Sequence, residues 1–153
     1  MATQYTAGLT TGQVLTAATM NSIGAAWETW TPQLWSGVTQ ATTSTATGLY
    51  CLINKVAIVH VYLNASGSGA AGAVEVRNRP AAITPKRTGS TNNSNGSEIG
   101  TASYLDAGTA FYPGQMYWNS STALRIIVAG GVDLSLTTAS GDKMVFTMTY
   151  EVA

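Results

Sequence analysis

Leu49-Tyr50-Cys51-Leu52-Ile53, then Asn54-Lys55, then Val56-Ala57-Ile58-Val59-His60-Val61-Tyr62-Leu63 is the stretch that decides how this chain folds. Two runs rich in β-branched and aromatic residues flank a pair of turn-forming residues, the pattern of a β-hairpin with a two-residue turn. In the second arm Ala57, Val59, Val61 and Leu63 share one face, and Val56, Ile58, His60 and Tyr62 share the other. Both faces are largely apolar. Such a strand is expected to be covered on one side by a second sheet and on the other by a neighbouring molecule.

Strand signals continue on either side of the hairpin. Lys143 to Val152 alternates, with Met144, Phe146, Met148, Tyr150 and Val152 on one face and Val145, Thr147, Thr149 and Glu151 on the other. Val59, Val61 and Phe146 are therefore expected in the core. Further strands are expected at Trp30–Trp35, Val74–Arg77, Ile99–Leu105, Thr109–Trp118 and Ala123–Val128. Thr39–Thr47 reads as an edge strand or an extended loop. Pro32 marks a strand start or an edge, and Gly130-Gly131 breaks a strand. Asn64–Ala73 reads as a small-residue loop and Thr88–Gly96 as a mobile one. About eight short strands with Gly, Asn and Ser turns predict an all-β domain, a β-sandwich of jelly-roll type, over residues 31–153.

Residues 1–30 are different in kind. They carry no Lys or Arg, a single charge at Glu28, and two of the four tryptophans. Thr16 can cap a short helix that ends near Gly24, and helical spacing also permits a longer helix running to Trp30. A helix this short is not stable alone. Its apolar residues Leu15, Met20, Ile23, Trp27 and Trp30 are thus expected to form an anchoring and oligomerisation segment.

Composition narrows the function. Of 153 residues, 45% are hydrophobic and only 9% are charged, with seven basic and seven acidic side chains and no net charge. An average soluble protein carries roughly 25% charged residues. Thr (23) and Ser (13) can wet part of the surface, but the economical reading is that other subunits cover much of it, as in an assembly component. Seven scattered basic residues do not make a nucleic-acid interface. No apolar run is long enough to cross a membrane. The opening MATQYTAGLTTGQ does not read as a secretory signal.

Catalytic chemistry is not expected. The single His60 reads as a neutral, hydrogen-bonded residue within a sheet or at a subunit contact, and the single Cys51 as a buried small hydrophobe. The carboxylates Glu28, Glu75, Glu98, Asp106, Asp133, Asp142 and Glu151 are isolated in sequence, and Asp133 and Asp142 read as turn residues. No catalytic residue, metal site or cofactor is assigned. Tyr112, Tyr117 and Trp118 lie close enough in sequence to offer stacking platforms for a sugar. The favoured reading is that alternating members of this group fill the core.

Residues 11–32 read T-G-Q-V-L-T-A-A-T-M-N-S-I-G-A-A-W-E-T-W-T-P. This segment resembles tailed-bacteriophage virion proteins whose N-terminal part runs G-x-V-L-T-A-A-x-M-N-x-I-G and then W-x-x-W-T-P. Gly48-Leu49-Tyr50 and Asn54-Lys55-Val56 match the G-x-Y and hydrophobic hairpin that open the β domain there. The resemblance covers about residues 8–63. It implies a non-enzymatic structural protein on the virion surface: a minor tail or tail-fibre spike, a capsid decoration or a head fibre. It also implies assembly as a homotrimer and contact with other virion proteins. A lectin-like tail module that binds host cell-surface glycan is the alternative.

Overall fold

The structure is a computed structural model, and it describes residues 26–88 and 99–153. The anticipated helix from Thr16 to Gly24, with Leu15, Met20 and Ile23, lies outside the described residues, as does nearly all of the Thr88–Gly96 loop. What is described is all-β apart from one 3-10 turn at Ala81–Ile83.

Twelve strands follow one another: β1 Glu28–Trp30, β2 Gln33–Ser36, β3 Thr39–Gln40, β4 Thr43–Ile53, β5 Val56–Ala65, β6 Ala71–Arg77, β7 Ile99–Asp106, β8 Ala110–Trp118, β9 Leu124–Val128, β10 Val132–Asp133, β11 Ser135–Thr137 and β12 Lys143–Glu151. They pair antiparallel in the order β1-β4-β5-β12-β7-β8-β9-β6-β2-β3, with β10 against β9 and β11 against β6. Both edge strands are very short, which leaves little backbone free for unwanted pairing.

The deciding hairpin forms as read. Ile53 pairs with Val56 around Asn54-Lys55, and Asn54 takes a positive φ of 57°, a conformation asparagine tolerates better than most residues. β12 lies between β5 and β7, so Phe146 sits across from Val61 on one side and Ala102 on the other. Val59, Val61 and Phe146 are buried as expected. Leu34, Val74, Val76, Met116, Trp118, Leu124 and Ile126 join them in one core cluster.

Two short crossings shape the sheet. Thr31-Pro32 alone connects β1, at one end of the strand order, to β2, near the other end. Ala41-Thr42 alone connects β3, the far edge, to β4 beside β1. Three residue steps of extended chain reach at most about 11 Å, so the two ends of the strand order lie close together. Pro32, which has no N–H to donate, stands at the first crossing.

The structure corrects several expectations. Glu28–Trp30 is a strand and not the end of a helix, so the sheet begins before Thr31. Thr43–Ile53 is a single long strand, because its small Thr and Ala residues continue the hairpin ladder onto Tyr62–Ala65 at the end of β5. β10 and β11, only two and three residues long, carry too little pattern to be read from sequence.

Candidate functional site

The N-terminal strand is fastened to the hairpin by side chains. β1 pairs with β4 so that Glu28 lies opposite Tyr50 and Trp30 opposite Gly48. The Tyr50 hydroxyl donates to the Glu28 carboxylate. The Trp30 indole lies directly over Gly48, where a Cβ atom would run into the indole nitrogen. Only glycine leaves room for that ring. Trp27 stands beside His60, ring centroids 5.1 Å apart. Glu28–Trp30 and Gly48-Leu49-Tyr50, which belong to the stretches that carry the phage resemblance, thus pack on each other.

Beyond this latch, β4, β5, β12, β7 and β8 present an outer face opposite the core. Cross-strand rows on it run Thr47–Tyr62–Val145–Ser103–Pro113 and Leu49–His60–Thr147–Thr101–Gln115. Charge occurs on this face only at the two ends of β12, at Lys143 and Glu151. Of the nine large exposed hydrophobic side chains among the described residues, six lie here: Ile53, Val56, Tyr62, Leu105, Phe111 and Val145. Trp27 borders the same side. Between β7 and β12 the face is hollowed by about 230 Å³, lined by Thr101, Ala102, Ser103, Val145, Phe146 and Thr147.

The other half of the sheet carries a closed polar network on its outer side. Glu75, 4% exposed, accepts from Arg77 Nε and from Arg125 Nε, each at 2.7 Å. Arg125 reaches on to Asp133 at 2.9 Å, and the Tyr117 hydroxyl donates to the other Asp133 oxygen at 2.8 Å. The Arg77 guanidinium covers the Trp35 ring at 4.3 Å. Two carboxylates isolated in sequence therefore converge, but on a shared arginine. Each is held by cations, an arrangement that ties β6, β9 and β10 together and leaves no free acid–base pair within this network.

No protein-family model matches this chain, and neither does any curated protein.

The residues singled out in the sequence fall in different places. Trp30 packs against the core of its own domain. Trp27 is 49% exposed and remains available as a contact. Tyr112 points inward and packs on the core. Tyr117 and Trp118 are buried, Tyr117 by its bond to Asp133 and Trp118 edge-on to Tyr150. Tyr117 and Trp118 thus present no ring face to solvent, whereas Tyr112 is half-buried. His60 lies within the sheet, on the outer face of β5, where it is exposed beside Trp27. Cys51 is buried, as read.

Asp142 is the residue that sequence reading most underrated. Expected as a turn residue, it is fully buried and accepts from the Tyr104 hydroxyl and from the backbone N–H groups of Ala107 and Ala139, each at 2.8 Å. One carboxylate thereby pins the β7–β8 turn to the segment leading into β12. Tyr104 and Ala107 stand 38 and 35 residues away, so local sequence signals only the turn contact to Ala139.

Buried tyrosines give the fold an alkaline limit. Burial first, then the Glu28 carboxylate, push the Tyr50 phenol up to about 12. Burial and the Asp133 carboxylate do the same for Tyr117, to about 12. Tyr104 and Tyr150 are pushed upward as well, chiefly by burial. An unfolded tyrosine ionises near ~10. The folded state therefore holds these protons more tightly, and the stability they contribute is complete below pH ~10 and lost as pH rises towards ~12. Phenolate absorbance and loss of sheet signal are expected to rise together over that window. Replacing Tyr50 or Tyr117 with Phe should move the transition upward; a transition that does not move in either variant would contradict the assignment.

Proposed function

We propose that this chain is a non-enzymatic structural component of a tailed-phage virion, held to the particle by its N-terminal segment, with a trimeric β domain on the surface. The observation that carries the reading is the outer face of β4, β5, β12, β7 and β8, which gathers most of the exposed hydrophobic side chains and is free of charge except at its ends. A free monomer seldom keeps a face of this extent with so little charge and so many exposed hydrophobic side chains. The physical union of the Trp27–Trp30 segment with Gly48-Leu49-Tyr50 supports the resemblance, because it gives those motif residues a common role in fixing the anchor segment to the domain.

We infer further that the sheet folds over on itself as a β-sandwich of jelly-roll type. Two observations support this. Residues from β2, β6 and β9 share one core with residues from β5, β12 and β7, and among the described residues there is no α-helix to cover them. The crossings at Thr31-Pro32 and Ala41-Thr42 also bring the ends of the strand order together.

A reconstruction of the virion tests the function. Density for this chain is expected as a threefold projection on head or tail, with its N-terminal segment against another virion protein. Particles that lack the chain altogether would refute the reading.

A further inference from the structure

We propose that the uncharged outer face is where a second copy of this chain docks. The inference rests on the trimer reading and names the surface that would build it.

The face is extensive. Strands of about nine residues at ~3.3 Å per residue, five abreast at ~4.8 Å, cover about 30 by 24 Å, or roughly 700 Å². A standard-size interface takes about 800 Å² from each partner, and a threefold ring divides the face between two neighbours, so it supplies a large part of each contact and not the whole. Its chemistry also suits a copy of itself. Lys143 and Glu151 stand at opposite ends of β12, and the field between them holds Thr, Ser, Val and Tyr side chains that neither attract nor repel a like surface. The chain as a whole has no net charge, so two copies approach without long-range repulsion.

The relief is self-complementary. Phe111 stands 63% exposed and Tyr62 37% exposed, on either side of the hollow formed by Thr101, Ser103, Val145 and Thr147. A projecting aromatic ring seated in a hollow is the usual form of an interface anchor. Thr101 and Thr147 join hydroxyls across the floor of the hollow at 3.1 Å, which lowers the cost of covering that pair. One face thus carries both the projection and the recess, so in a threefold ring, which closes head to tail, the projecting side of one copy can meet the recessed side of the next.

The test places a carboxylate in the recess. Val145, 44% exposed, and Thr147, also exposed, can each be changed to Glu without disturbing the core. Val132→Glu, at an exposed valine that opens β10 away from the face, serves as the control. Sedimentation of the full chain is the measurement, with circular dichroism to verify folding. Val145→Glu and Thr147→Glu should weaken self-association by at least about 100-fold, since an unpaired carboxylate buried under a docked aromatic ring is strongly disfavoured, and Val132→Glu should leave it unchanged. If both recess variants fold and remain trimers, another surface joins the copies and the face assignment fails while the trimer reading stands. If the unaltered chain is a monomer, both fail.

Discussion

Phe146→Ala is expected to destabilise the domain by about 3–5 kcal/mol, the range for removing a buried aromatic ring and leaving a cavity. Phe146 is 1% exposed and sits in the middle of β12, between Val61 on β5 and Ala102 on β7. β12 is the strand on which the hairpin half and the β7–β8 half of the sheet both depend. The backbone ladder on either side limits collapse around the missing ring. Urea denaturation followed by circular dichroism measures the effect. A loss below about 1 kcal/mol would mean that the ring packs loosely, contrary to its position in the core.

Removing residues 1–24 is expected to leave a folded β domain that no longer joins the virion. The cut spares Trp27, Glu28 and Trp30, so the contacts to His60, Tyr50 and Gly48 remain in place. It removes Leu15, Met20 and Ile23. Burying each such side chain is worth about 1.5–3 kcal/mol, and a trimer would present three sets at once. Occupancy on particles, read by gel or by reconstruction, should fall close to zero while the truncated chain accumulates free in solution. Normal occupancy would show that the anchor lies elsewhere.

What could be read from sequence was what depends on near neighbours. The Asn54-Lys55 hairpin, the alternation of Met144, Phe146, Met148 and Tyr150, and the break at Gly130-Gly131 are all local patterns, and each appears where its period or turn chemistry placed it. Thr43–Thr47 stayed ambiguous because small β-branched residues serve an extended loop as well as a strand; pairing with β5 decides the matter, and that partner lies beyond the turn. The Trp30 segment fits a helical period, yet the Gly48 backbone opposite it offers a seat for the indole, and tertiary contact overrides the local pattern. The crossings from one sheet end to the other depend on which distant strands pair, information no window contains.

The candidate face shows the same division. Alternation in β5 and β12 already separated Tyr62 and Val145 from the core, but their meeting with Ser103 and Pro113 in one row needed the register. For Tyr117 and Trp118 local aromatic density left core filling and ligand stacking both open. Tyr117 lies on the outer side, yet Asp133, sixteen residues away, claims its hydroxyl, and Trp118 turns inward against Tyr150. Glu75 and Arg125, fifty residues apart, were invisible to each other in sequence for the same reason.

Assembly is the claim on which the functional reading depends, and the native mass of the purified chain tests it most directly. Sedimentation equilibrium at micromolar concentration is expected to give about 48 kDa, three times the 15.9 kDa chain. A stable, well-behaved species of 15.9 kDa under the same conditions would contradict it.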